Sequence, residues 1–305
     1  MMARIPAQKR SLAWLVAAAL TPAAVLAAPP QVVPVAAAAK APAIDGELAD
    51  WGRDGWIKVA VKPAVAPAER AKLGLGPEDR NQTGSITVEI KALAAGGRLF
   101  LAARWPDDAA DTAYRGWEWS GARYSEGKAR DDMFAVRWHL DGDFDRSMLS
   151  GSSYRVDLWL WSAGRSNPLG LAEDMRHEIS TRAIEDAAEY AVQGVGTVYI
   201  KKHRDAGDPL YKTVRPPKTK GADRLDSFEL NPKPAGGTAD VQAKGVWKNG
   251  FWQLEMARKL DTGNADDRAF AAGEKVSGQI AVFNRASDEH KSVSEPLLFD
   301  FSAVR

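Results

Sequence analysis

From residue 57 onward the chain is cut into short runs in which apolar residues recur at every second position. That period puts alternate side chains on opposite faces of an extended strand, and a helix has no use for it. Ile57 to Val61 alternates in this way, and Ile86, Val88 and Ile90 share one face of Ser85 to Lys91. Gly96-Gly97 marks a turn into Leu99 to Trp105, which reads as the partner strand of a hairpin. Met133 to Leu140 sets Met133, Ala135 and Arg137 against Phe134, Val136 and Trp138. Tyr154 to Trp161 sets Val156, Leu158 and Leu160 against Asp157, Trp159 and Trp161. Thr197 to Lys201, Gly245 to Trp247, Phe251 to Arg258, Lys275 to Phe283 and Leu297 to Phe301 follow. About ten short strands without regular strand–helix alternation predict an all-β fold, an antiparallel β-sandwich with few short helices. Only Pro67 to Leu73 and the Ala/Glu-rich Thr181 to Ala191 read as helical pieces.

The first 27 residues follow a different rule. Arg4, Lys9 and Arg10 precede an apolar run from Ser11 that ends in Val25-Leu26-Ala27. This is the pattern of a cleaved export signal, and Pro22 makes the run a poor membrane span. The expected product is periplasmic, with no membrane span in the mature chain. Residues 28–43, rich in Pro and Ala, read as a tether, and residues 44–305 as a single domain. Within it, residues 201–244 are polar, rich in Pro and basic residues, and read as a loop-like insertion.

Composition removes several classes of function. The chain has no cysteine. Disulfides, thiolate metal sites, iron–sulfur clusters and covalent c-type haem are therefore excluded. Forty-one basic residues balance forty acidic ones, so charge gives no pull toward nucleic acid. No nucleophile motif, phosphate-binding glycine loop or His-Glu-x-x-His is present, so the chain reads as non-catalytic. Asp141-Gly142-Asp143-Phe144-Asp145 opens like a calcium loop, but Arg146 stands where glycine is needed, leaving a polar turn. Eleven tryptophans fall partly in pairs: Trp51/Trp56, Trp117/Trp119, Trp159/Trp161 and Trp247/Trp252. Such aromatic faces serve as core, as a sugar-stacking platform or as a cofactor wall.

Several weak motifs follow one another in order: Ile44-Asp45-Gly46-Glu47-Leu48-Ala49-Asp50-Trp51, Val88 to Leu93, Arg98 to Asp107, Asp131-Asp132 with Phe134 to Trp138, and Val156-Asp157-Leu158-Trp159-Leu160-Trp161. Lys248-Asn249-Gly250-Phe251-Trp252 and the closing Lys291-Ser292-Val293-Ser294 complete the series. Taken together, the series resembles the haem-binding gamma-subunit family of ethylbenzene dehydrogenase. The opening segment is also similar to family-9-like carbohydrate-binding modules. The gamma-subunit resemblance implies a β-sandwich holding one non-covalent haem b through methionine and lysine. It also implies electron transfer between molybdoenzyme or iron–sulfur subunits and periplasmic cytochromes. Two departures stand out. Arg137 occupies the position expected for the ligand methionine, and Met148 to Tyr154 carries none of the cysteine or histidine of longer relatives. The candidate iron ligands are therefore Met133 or His139 with His290 or Lys291, and Trp159 and Trp161 are candidate cofactor-wall residues. His177 and His203 read as surface residues. The competing expectations are a cofactor-free sandwich that binds carbohydrate through surface tryptophans, or an assembly partner that has lost the ligand.

Overall fold

A computed structural model describes residues 29–305, so the export-type segment lies outside the described residues. The fold is an all-β sandwich, and its central sheet closes on itself. One layer is built on the strands Ile86–Ala95, Arg98–Pro106, Phe251–Lys259 and Val241–Lys248, paired antiparallel in that order. The other runs through Lys275–Phe283, Met133–Gly142, Tyr154–Ser162, Leu171–Ser180 and Gly196–Arg204.

The segment expected to be a tether takes part in closing the sheet, beside the short strands Ser292–Val293 and Ile57–Pro63. Gln31–Ala37 is a strand that pairs in parallel with Leu297–Asp300 and then with Ile86–Ala95. Its Val33 and Val35 point into the core. Short alternation hidden among prolines and alanines left no readable period there. The Thr181–Ala191 stretch is not helical either: Ala188–Val192 is an edge strand against Gly196–Arg204. Pro67–Glu69 forms only one 3-10 turn. The insertion at 201–244 is ordered into short ladders, Tyr211–Thr213 on Phe228–Leu230 and Arg224–Leu225 on Arg115–Trp119.

The core between the layers is aromatic. Trp105, Trp138, Trp159, Trp161, Phe299 and Phe301 are all essentially inaccessible. Trp161 meets Trp252 edge-on at 5.0 Å, and Trp138 meets Trp159 at 5.2 Å, the geometry that ring quadrupoles favour. Gly245 is required by this packing, because a Cβ there would come within 2.3 Å of the Trp161 ring. The motifs that close the sandwich are likewise physical. Glu255 is buried and accepts hydrogen bonds from Gly46 N (2.7 Å), Asp45 N (3.0 Å) and Trp51 Nε1 (2.6 Å). Asn249 and Gly250, both at positive φ, turn one strand into the next.

A second buried feature lies at the edge of this core. Arg258 donates to Asp157 Oδ2 and Asp174 Oδ2, each at 2.7 Å, with Asp267 at 3.5 Å. The three carboxylates are close enough to hold a metal ion, but the guanidinium already provides their positive charge.

Candidate functional site

The site lies on the outer face of the second layer, opposite the tryptophan core. Alternation decides this: along Met133–Gly142, Phe134, Val136 and Trp138 enter the core, so Met133, Ala135 and Arg137 face the other way. Leu158 and Leu160 of the next strand, Met175 and His177 of the third, and Ile200 and Lys202 of the fourth continue that face. Gln279, Ala281 and Phe283 extend it on the opposite side of Met133. The loop residues Ala64, Val65, Tyr114, Met148, Leu149 and Lys291 roof it over. Together they enclose a half-open cavity of about 300 Å³.

The Met133 strand is anchored by two buried acids at its start. Asp131 receives Arg165 bidentately, with both contacts at 3.1 Å. Asp132 accepts from Trp252 Nε1 (3.1 Å), Asp111 N (2.8 Å) and Arg285 N (3.2 Å), and burial pushes its carboxyl up to about 7. Arg165 also lies over the Tyr114 ring at 3.9 Å and donates to Tyr211 Oη at 3.0 Å. Tyr211 in turn donates to Glu173 at 3.0 Å. The insertion thus contributes a buried anchor to the cavity wall.

The cavity has apolar walls and a charged lining in which Arg137, Arg165, Lys202 and Lys291 stand with Asp288 and Glu289. Arg137 is 7% exposed. It donates to Tyr154 Oη (3.1 Å), Gln279 Oε1 and the carbonyls of Asp145 (3.0 Å) and Arg146 (3.2 Å). Among the described residues no carboxylate pairs with it, so its charge is available to an anion. Lys202 is paired with Asp288 at 2.9 Å. Lys291 donates to the Asp288 carbonyl, and burial, with the nearby charges of Arg137 and Lys202, brings its amine down to about 7. A neutral amine has a free lone pair and can bind a metal.

Of the expected ligands, the structure brings Met133 and Lys291 into one cavity and leaves the others outside it. His139 follows the alternation only to the irregularity after it, where its Nε2 meets Gly142 O at 3.0 Å. His290 contacts Asp79 at 3.2 Å and Glu289 at 3.3 Å on the surface side. Trp159 and Trp161 are core residues, with no accessible surface and no place in the cavity; neither can serve as a surface stacking platform. The Asp141 to Asp145 stretch ends a strand, and Asp141 pairs with Arg155.

The residue the sequence missed is His177. It is 7% exposed, lines the cavity, and neither ring nitrogen has a hydrogen-bond partner. Burial and the surrounding cations Lys202, Arg137 and Lys291 hold its ring neutral, well below the usual histidine range. Its strand, Leu171–Ser180, carries Glu173, Asp174, Arg176 and Glu178, and such charge reads as loop. Only the fold reveals the partners, Arg258, Tyr211 and Arg204, that make the first two of those acids tolerable.

The sequence matches the profile of the ethylbenzene dehydrogenase family over residues 50–294. The chain belongs to that family. No curated protein matches it. Among solved structures it is similar to a family 9 carbohydrate-binding module of Caldicellulosiruptor kristjanssonii in complex with glucose. The identity is 11%, the TM-score is 0.33, and the match covers 88% of this chain and 85% of the other. It is also similar to a Bacteroides uniformis protein described as carbohydrate-binding. Here the identity is 8%, the TM-score is 0.41, and coverage is 89% and 100%.

Proposed function

We propose that this protein is an exported, non-catalytic electron-transfer subunit that holds one haem b in the cavity beneath Lys291. The observation that carries the reading is the donor set of that cavity in a chain of the ethylbenzene dehydrogenase family. A haem needs apolar walls, cations for its two propionates, and nitrogen or thioether ligands in a dry site. Leu158, Leu160, Ala135, Ala281 and Phe283 supply the walls. Arg137, without a carboxylate partner, receives a propionate. Lys291, Met133 and His177 are the side chains with nitrogen or thioether donors that line the space, and the ligands are drawn from among them. The bound group supplies one-electron redox chemistry. The protein binds it, shields it from water and sets its potential through the ligands and the surrounding positive charge.

In this reading the partner is a molybdoenzyme with iron–sulfur subunits, and the electrons pass to or from a periplasmic cytochrome. Residues 1–27 direct export. Among the described residues, no helix is long and apolar enough to cross a membrane.

The test is a visible spectrum of the mature protein purified from periplasm with haem available, before and after dithionite. Sharp reduced bands and one acid-acetone-extractable haem per chain are expected. A colourless protein that also refuses added hemin refutes the reading.

A further inference from the structure

The cavity presents three kinds of metal-binding side chain, and they are not equally free to bind. Met133 is 5% exposed, and its sulfur already accepts a hydrogen bond from Arg165 Nη2 at 2.8 Å. That guanidinium is fixed in turn by Asp131 on one side and Tyr211 on another. To reach an iron atom, the thioether would have to leave a buried cation and strip that cation of one of its acceptors. Lys291 is tethered to the Asp288 carbonyl, but its amine has a lone pair once deprotonated.

His177 is different. Both its nitrogens are buried and bonded to nothing. Its strand neighbours are Val156 on one side and Lys202 on the other, and no carboxylate pairs with the ring. An unpartnered imidazole in a low-dielectric site is expensive, and native structures rarely keep one without a reason. A neutral imidazole is also the side chain most often found on metals. The charged groups that bear on the ring, Lys202, Arg137, Lys291 and His203, are all basic, so none of them is an anion that pairs with it.

We infer that His177 is the side chain that would hold the haem iron, and that Arg165 keeps the Met133 sulfur from doing so. The inference rests on the haem reading above and goes beyond it by assigning the ligand. Lys291, which lines the same cavity, would be the second donor, and the iron would then be held by two nitrogens.

The experiment is reconstitution of the mature chain with hemin, followed by ferric electron paramagnetic resonance and near-infrared spectra. The wild-type complex is expected to be low-spin, without the sulfur-to-iron charge-transfer band that a methionine ligand gives. Met133→Leu should leave that spectrum unchanged. His177→Ala should retain hemin but become high-spin, and added imidazole should restore the low-spin form. His177→Met, which keeps a ligand of similar bulk, should introduce the sulfur band. A sulfur band in the wild type, or conversion to high spin by Met133→Leu with His177→Ala unaffected, overturns the assignment and leaves haem binding intact. A wild-type chain that takes up no hemin overturns both readings at once.

Discussion

Arg165 donates to the sulfur of Met133 at 2.8 Å while Asp131 holds the same guanidinium through two further hydrogen bonds. One buried cation thereby fixes the strand that carries Met133, Ala135 and Arg137. It also occupies the sulfur of one of the four side chains, Met133, His139, His290 and Lys291, that the sequence offers as iron ligands.

Removing that cation leaves Asp131, which has no accessible surface, without its partner. Breaking one side of a buried ion pair typically costs about 3–5 kcal/mol. Arg165→Met is therefore expected to lower the unfolding free energy, read from urea denaturation, by that amount, whereas Arg224→Met, at an exposed pair with Glu118, should lie within about 0.5 kcal/mol of wild type. Equal effects would show that the Asp131 anchor does not matter.

The tryptophan faces act in stability. Trp161 sits against Trp105, Trp252 and Gly245. Trp161→Ala should cost about 3–5 kcal/mol, and Gly245→Ala about 1–3 kcal/mol through overpacking. Chemical denaturation followed by tryptophan fluorescence measures both. A Trp161→Ala protein as stable as the wild type, but deficient in glycan binding, would return this residue to the surface role.

Two groups, Asp205 and Lys291, give the haem-free protein opposite pH slopes. Burial, followed by the neighbouring charges of Asp266, Asp267 and Asp157, raises the Asp205 carboxyl to about 8. The folded state then holds a proton that the unfolded state has lost, so Asp205 makes stability fall as pH rises from the carboxylate range to about 8. Asp205→Asn should remove that slope and stabilise the protein at pH 8, on the order of 1 kcal/mol or more. Lys291 behaves in reverse. Its folded amine releases its proton near 7 against an ordinary 10.5, so the unfolded state binds the extra proton and stability rises with pH across that window. Lys291→Met should flatten the rise. Melting temperatures of the three proteins from pH 5 to 10 test both signs; unchanged slopes would mean these groups titrate normally.

How much was legible in the sequence depended on where the charges went. Tyr154–Ser162 was readable because its two faces are chemically distinct: Trp159 and Trp161 fill the core while Leu158 and Leu160 wall the cavity. Family membership was likewise legible from the order of weak motifs. The Leu171–Ser180 strand was not, because Asp174 and Glu173 are neutralised by Arg258, Tyr211 and Arg204 from distant segments. With that strand went His177. Gln31–Ala37 escaped because its strand character is imposed by parallel neighbours at the far end of the chain. The candidate ligands divided along the same line. Met133 and Lys291 converge, while His139 and His290, each one residue or one irregularity away from an inward position, do not.

Filling the cavity tests whether haem sits there. Ala135 lies on the cavity face of the Met133 strand, 4% exposed, between Leu160 and Ala281. Ala135→Trp places an indole where the macrocycle would lie. In a hemin titration followed at the Soret band, the wild type should take up one equivalent. Ala135→Trp, still folded by circular dichroism, should take up none. Stoichiometric hemin binding by the filled variant, with an unchanged spectrum, would contradict the account.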